Sequence, residues 1–250
     1  MHIVGRYFTE VRTLFEKIAA ETEAIDRAAE VLADAIQAEQ PVWVFGTGTH
    51  SAMVAEDAFY RSGGLVPIRP ILDPSILAGN GALHATTMER TPGLANSIFN
   101  AYGVQGPAVM ILNNPYGINS LTIESADECK KRGVKLIALT SRDFCKSIPA
   151  GHPARHSSNR NLCDVADLVI NTWMQPGDAL LEVKGVPARV GPSSTLLMSF
   201  ALNALVCRTV EVLVARGVEP EVWVGGNMVG GDAIAKRYLA KYAGQIKHLI

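Results

Sequence analysis

The run Val42-Trp43-Val44-Phe45-Gly46-Thr47-Gly48-Thr49-His50-Ser51 decides the fold. Its four consecutive apolar residues, β-branched or aromatic, suit a strand buried on both faces. The two glycines and short polar side chains that follow turn the chain into a helix, so the run reads as the first half of a βαβ unit. The strand signature recurs at Pro67 to Leu72, Ala108 to Leu112, Val134 to Leu139 and Leu168 to Asn171. Helical spacing fills most of the intervals, at Ser51 to Arg61, Leu94 to Tyr102 and Asn119 to Arg132. Apolar strands alternating with helices call for a parallel sheet covered on both faces and joined by right-handed crossovers. The expected class is α/β, a three-layer αβα sandwich with a mostly parallel five-stranded sheet.

Upstream of this core, apolar residues fall at Tyr7, Val11, Leu14, Ile18, Ile25, Ala29, Leu32 and Ile36, one step of seven and otherwise alternating four and three. That is a heptad seam on one long helix of about eight turns. The seam needs a facing apolar surface, supplied by a second copy of the chain or by the chain's own core. The organisation expected is a helical arm over residues 1–40, forming a homodimer interface, and a single domain over residues 41–250. Downstream, Leu180 to Val190 reads as a hairpin turning at Lys184-Gly185 and Ser193 to about Ala215 as a long apolar helix. Glu221 to Val224 reads as a last strand, before Gly225-Gly226-Asn227 and a closing helix toward Lys247.

The 250 residues carry 23 Lys and Arg against 24 Asp and Glu, and no basic run exceeds Lys130-Lys131-Arg132. Such a balance gives little electrostatic reason to bind nucleic acid. The apolar stretches Ala108 to Leu112 and Leu196 to Val206 are short for a bilayer span, and Tyr7 to Ile18 is broken by charges where a signal peptide would be continuous. A cytoplasmic chain is expected. Cys129, Cys145, Cys163 and Cys207 lack C-x-x-C spacing, which fits reduced structural thiols without a zinc site.

In an open parallel sheet, ligands sit beyond the carboxyl ends of the strands. Three segments there combine Gly with short polar residues: Gly46-Thr47-Gly48-Thr49-His50-Ser51, Asn113-Asn114-Pro115-Tyr116-Gly117-Ile118-Asn119-Ser120, and Gly191-Pro192-Ser193-Ser194-Thr195. Each precedes a helix, whose N-terminal N–H groups suit an anion or a sugar hydroxyl, and each also reads as an ordinary capped turn. Ser51 stands where a dinucleotide fingerprint has its third glycine, and Gly225 to Gly231 lacks the Lys-Ser/Thr ending of a P-loop.

These three loops resemble the ligand loops of SIS domains, the sugar isomerase fold that binds phosphosugars. The similarity is greatest to a subgroup that stands beside phosphoheptose isomerase. It extends through Ala55-Glu56-Asp57-Ala58-Phe59-Tyr60-Arg61-Ser62-Gly63-Gly64-Leu65, Glu89-Arg90-Thr91-Pro92-Gly93, Thr140-Ser141, Gly177-Asp178-Ala179, Asn227 and Gly230-Gly231-Asp232. The resemblance implies aldose–ketose isomerisation, with lyase or ether-cleaving chemistry, or non-catalytic sugar binding and regulation, as alternatives. The second SIS loop usually reads Ser-x-Ser-Gly-x-Thr/Asn. Here Asn114 and Tyr116 replace both serines while Gly117 and Asn119 remain, which puts phosphate binding in question.

Isomerisation needs a base for the proton alpha to the carbonyl and a donor for the oxygens, tasks suited to a carboxyl and an imidazole. Glu56, in the helix after the first loop, and Glu89, in a polar loop beside Arg90, are the expected acid/base pair. Ion pairing of Glu89 with Arg90, or a surface position for Glu56, is the plainer reading. His84, in a Gly/Ala-rich stretch able to cover the pocket, is the third catalytic candidate. Sugar contacts are expected from Gly46, Thr47, Gly48, Thr49, His50, Ser51, Asn113, Asn114, Tyr116, Gly117, Asn119, Ser193, Ser194, Thr195 and Asn227. His152-Pro153-Ala154-Arg155-His156 reads as a lid or a contact to an acidic substituent. No cofactor and no metal are expected, and the partners expected are a small sugar or sugar phosphate and a second copy of the chain.

Overall fold

The computed structural model describes residues 2–250, so the first residue of the expected 1–40 arm lies outside it. The chain runs through α1 (Ile3–Ala19), α2 (Thr22–Gln37), β1 (Val42–Gly46), α3 (Thr49–Ala58), β2 (Ile68–Ile71), α4 (Ala82–Arg90) and α5 (Leu94–Tyr102). It continues through β3 (Ala108–Asn113), α6 (Ser120–Lys131), β4 (Val134–Thr140), α7 (Arg142–Ser147), α8 (Leu162–Val165) and β5 (Leu168–Asn171). A short hairpin of β6 (Ala179–Leu181) and β7 (Val190–Pro192), then α9 (Ser194–Ala215) and α10 (Gly231–Tyr242), complete it.

The five long-range strands form one parallel sheet in the order β2-β1-β3-β4-β5. Side chains alternate across it, as the period of a strand requires. Val44, Ile111, Ile137, Leu139 and Ile170 face α1, α2, α3 and α9. Phe45, Met110, Leu112, Leu136 and Ala138 face α5 and α6. This is the three-layer sandwich that the sequence implies.

The N-terminal seam differs from expectation in one respect. In place of one helix through residue 36, the chain breaks at Ala20-Glu21, between α1 and α2. The seven-residue step from Ile18 to Ile25 marks the break, where Glu21 and Thr22 stand at the intervening seam position. The seam residues Val11, Leu14, Ile18, Ile25, Ala29 and Leu32 are all buried within this chain's own core.

The helix α9 is 22 residues long and contains an 18-residue window of mean hydropathy 1.7, long and apolar enough by those measures to cross a membrane. The expectation of shorter apolar runs is corrected there. Yet Leu197, Met198, Ala201, Leu202, Leu205 and Val206 pack under the sheet, so α9 is a core helix. The expected strand at Glu221 to Val224 reduces to an isolated antiparallel bridge between Leu65 and Val222. That segment packs through Trp223 with Tyr238, Tyr242 and Ile246 in a small satellite core around α10.

Candidate active site

The chain leaves β1 for β2 on one side, then returns to place β3 on the other. The loops after β1 and β3 therefore diverge and open a crevice beyond the strand ends. A cavity of about 420 Å³ fills it, bounded by Gly48, Thr49, His50 and Ser51, by Asn114, Tyr116 and Asn119, and by Ser194 at the start of α9.

The remaining wall is α4, where the sequence predicts a polar loop around Glu89. Its weak amphipathicity hid it, since Ala85 is its one buried residue among those described. Ala82, Thr86 and Glu89, spaced four and three, share its cavity face. Glu89 is thus a residue of the last helical turn, where a polar loop was expected, and it does reach the cavity. Its Oε2 lies so close to the first loop that a Cβ on Gly48 would stand 2.8 Å away. Burial pushes its carboxyl up to about 7, against the opposing pull of Arg90 and of the Thr49 backbone N–H that donates to it. Among the described residues it makes no ion pair, so the simple pairing with Arg90 does not form.

Two other catalytic candidates fall elsewhere. His84 lies two residues from both Ala82 and Thr86, about 200° around the helix, and is exposed outside the cavity. Glu56 is exposed on the outer face of α3 beside Met53, Asp57, Tyr60 and Arg61. The inner face of α3 is taken by Ser51, Ala52, Val54, Ala55 and Ala58, which pack against the sheet.

The loop after β3 is built around Asn114. Its Oδ1 accepts the backbone N–H groups of Tyr116 (3.0 Å) and Gly117 (2.8 Å), and its Nδ2 donates to the Thr47 carbonyl (3.0 Å). Gly117 has φ of 63°, and a Cβ there would meet Cys145 Sγ at 2.5 Å, so glycine is required on both counts. Tyr116 packs edge-on against Phe144 with ring centroids 4.8 Å apart. Burial, then the charges of Asp178 and Glu89, raise its phenol pKa and keep it a proton donor. Asn119 donates from Nδ2 to the Ala154 carbonyl (2.9 Å), and its buried Oδ1 has no partner among the described residues.

The third loop is held by Asp178, whose own φ is 64°. Its Oδ1 accepts the N–H groups of Ser193 (2.9 Å) and Ser194 (2.7 Å), and its carboxylate also accepts both serine hydroxyls. Ser194 reaches the cavity, whereas Ser193 is a buried anchor and Thr195 lies outside. Thr47, Gly46 and Asn113 form the floor behind the cavity rather than its lining. Thr47 Oγ1 bonds Thr122 Oγ1 at 2.7 Å, and Gly46 pairs with Asn113 at the strand ends. Asn227 does not line this cavity; the bridge at Val222 carries the glycine segment toward α10.

The lid expectation also changes. His152 and Ala154 line the cavity, but the Arg155 guanidinium donates to the carbonyls of Cys145, Ile148 and Asn159 and staples its own loop. Behind that loop the Cys145 thiol is held below its ordinary pKa by hydrogen bonds from the Cys163 thiol and N–H and the Thr140 hydroxyl. Cysteine spacing gave no sign of that contact. Among the described residues no three His, Cys, Asp or Glu side chains gather as metal ligands would.

A parallel sheet with ligand loops at its switch point, each leading into a helix N-terminus, is the arrangement of a sugar-isomerase-type αβα protein. The SIS domain family matches residues 6–141, and the chain belongs to that family. It is 32% identical over 249 residues to the UPF0309 protein GK1441 of Geobacillus kaustophilus (strain HTA426), covering 99% of this chain and 97% of that one. With a UPF0309 protein of Brucella canis it shares 35% identity over 251 residues, 99% of each chain. Its fold is similar to that of the phosphoheptose isomerase GmhA from Neisseria gonorrhoeae, with a TM-score of 0.54, 17% identity, and 85% of this chain and 97% of that one covered.

Proposed function

We propose that this chain interconverts an aldose and a ketose through an enediol, with Glu89 as the base. One observation carries the reading: a carboxyl buried in the switch-point cavity, pushed up to about 7 and without an ion-pair partner among the described residues. A carboxyl tuned to that range takes a proton alpha to a carbonyl at neutral pH and returns it to the neighbouring carbon. Tyr116, kept neutral by its surroundings, gives its proton to the carbonyl oxygen as the enediol forms and takes one back from the adjacent hydroxyl as the enediol collapses to the isomeric carbonyl. His50, Ser51, Asn119 and Ser194 offer hydrogen bonds to the sugar hydroxyls.

We infer further that the chain works as a cytoplasmic homodimer. Exposed Val4 and Phe8 on α1, and Leu196 and Val214 on α9, supply apolar surface for a second copy, and light scattering of the purified protein tests this. The activity is tested by incubating the protein with aldoses and ketoses, free and phosphorylated, in deuterated water. Exchange at the alpha carbon with aldose–ketose conversion is expected, and its loss in Glu89→Gln. Fragmentation of the sugar would indicate elimination instead, and binding without exchange a sugar sensor.

A further inference from the structure

The four cysteines are scattered in the sequence, yet the fold brings two of them together under the loop that carries Tyr116. Cys145 lies in α7 and Cys163 in α8, and both elements close on Gly117. A Cβ on that glycine would stand 2.5 Å from Cys145 Sγ and 3.2 Å from the Cβ of Leu162, the residue before Cys163. The Leu162 N–H donates to the Gly117 carbonyl at 2.8 Å and fixes α8 against the same loop. The two thiols are hydrogen-bonded to each other, and Cys145 Sγ also meets Thr140 Oγ1 at 3.5 Å. The remaining cysteines stand apart from this pair: Cys129 is buried in α6, and Cys207 is exposed on α9.

Access and acidity divide the pair. Cys163 is 8% exposed and opens on a surface hollow beside Glu21, Arg27, Arg142 and Asp167, while Cys145 stands behind it with no exposure. The inner thiol is held down to about 7 by its bonds from Cys163 and Thr140, so much of it is thiolate at neutral pH. The outer thiol keeps its proton, because the bond to Cys145, burial and the Asp164 carboxylate at 3.7 Å all push it up. A thiolate in contact with a second sulfur that solvent reaches is the arrangement from which a disulfide closes.

We propose that Cys145 and Cys163 form a modification site, which a hydroperoxide converts reversibly to a disulfide that cross-links α7 to α8 beneath the cavity loop. The Cys145 thiolate draws the Cys163 proton along their hydrogen bond as the Cys163 sulfur attacks one oxygen of the peroxide. The S–O bond forms, the O–O bond breaks, and the departing oxygen takes that proton and leaves as water, or as an alcohol from an organic hydroperoxide. The Cys145 thiolate then attacks the sulfenic sulfur; the S–S bond forms, the S–O bond breaks, and hydroxide leaves. Each sulfur gives up one electron and the peroxide gains both. Joined sulfurs stand about 2 Å apart, so Cys145 Sγ must leave its place against Gly117 and Thr140. Beside it in α7, Phe144 packs on Tyr116, and the Cys145 carbonyl accepts from Arg155. Closure of the disulfide therefore loosens the loop from Asn113 to Asn119, and reduction by a thiol restores it.

The test is made on the purified full chain, reduced, treated with hydrogen peroxide at neutral pH, blocked by alkylation and digested with trypsin for mass spectrometry. Cleavage after Arg142, Lys146 and Arg160 puts the two sulfurs on separate peptides. The expected product has these peptides joined, with the loss of two hydrogens, and dithiothreitol separates them again. Cys207→Ser removes the exposed thiol, and the same link should form in that variant. Cys163→Ser should consume peroxide at the pair at least about tenfold more slowly, since the inner thiol is then both buried and alone. Amide hydrogen exchange over residues 113–119 should rise on oxidation. Cys163 halted as sulfenic or sulfinic acid with Cys145 free, or a pair left untouched by peroxide that oxidises Cys207, overturns the proposal. An unchanged rate in Cys163→Ser refutes the outer sulfur as the point of attack, and unchanged amide exchange in a cross-linked chain refutes the link to the cavity. The peptide map uses the native sulfurs, so it decides the matter even where a cysteine variant fails to fold.

Discussion

Two cavities sit at opposite ends of the same sheet, and the larger lacks the signs of chemistry. The one near the amino ends of the strands encloses about 590 Å³, lined by Arg69, Glu221, Arg237, Lys241 and Tyr242 among others. Several of its polar groups are already engaged. Lys241 pairs with Glu221 at 2.9 Å, Tyr242 also donates to Glu221, Arg69 donates to Gln245 at 2.9 Å, and Arg237 lies over the Tyr238 ring. The smaller cavity, about 420 Å³, holds Glu89 with no such partner among the described residues. Size does not separate the two ends; a buried acid without an ion-pair partner among the described residues does, since the unpaired Glu39 and Glu219 of the larger cavity are exposed.

The largest effect that can break this contrast is on turnover. Glu89→Gln keeps the shape and removes the base, so alpha-proton exchange should fall by about 100-fold or more. Glu221→Gln, the matching change in the larger cavity, should leave exchange unaltered. Equal losses in the two variants, followed by proton exchange in deuterated water, would erase the distinction. In the wild-type chain the exchange rate should rise with pH through about 7, as Glu89 gives up its proton and becomes a base.

The same carboxyl ties stability to pH. Its folded-state pKa stands above the unfolded value of about 4.5, so between the two the folded chain binds more protons than the unfolded one. Stability from this group is present at low pH and lost as pH rises toward 7. Replacing Glu89 by Gln should therefore stabilise the fold at pH 8 by about 1 to 2 kcal/mol, discounted for the solvent that reaches the group. At pH 4 the gain should vanish. Thermal unfolding at the two pH values checks the sign.

Much of this was legible in residues and some was not. The five strands and the switch point follow from runs such as Val42 to Phe45 and Ala108 to Leu112, where burial on both faces leaves no polar interruption; in β2 and β4 only Arg69 and Lys135 interrupt the apolar run before the strand's end. The hairpin and α9 follow from Lys184-Gly185 and the apolar run after Ser193 for similar reasons. The helix α4 did not show, since a cavity-facing helix buries few apolar residues and so loses its periodic signal. Residue type alone singles out Glu89, which does line the cavity, and equally His84 and Glu56, which do not, because sequence adjacency says nothing about which side of a helix faces inward. Asp178 lies in the segment Gly177-Asp178-Ala179 that shares the family resemblance, but nothing local marks it as the anchor of the third loop. Its role depends on meeting Ser193 and Ser194, which the intervening hairpin brings back to it.

A middle-sized effect concerns the approach of the two walls. Gly48 has extended backbone that any residue adopts, so Gly48→Ala adds no backbone strain. Its methyl would stand 2.8 Å from Glu89 Oε2 and 3.3 Å from Asn114 Nδ2, and must push the base aside. Exchange should fall by about tenfold, since small displacements of a catalytic group cost that much or more. The fold should lose less than about 1 kcal/mol, because the far end of a glutamate can move. In the larger cavity Lys241→Met removes a partly exposed ion pair and should cost about 0.5 to 1 kcal/mol of stability with turnover intact.

The smallest effect is expected on the outer surface of the site's own helices. Glu56 and His84 belong to α3 and α4, the two helices that frame the cavity, yet both point to solvent. Glu56→Gln and His84→Gln should each change exchange by less than about twofold and stability by less than about 0.5 kcal/mol. The comparison with Glu89→Gln is then between side chains on the same short elements, differing in the face they occupy. A tenfold loss in either variant, with the fold intact by circular dichroism, would mean that this outer face meets the reacting sugar in an assembly of more than one chain. The cavity within a single chain would then be half a site, and its unpaired acid one member of a pair completed from outside.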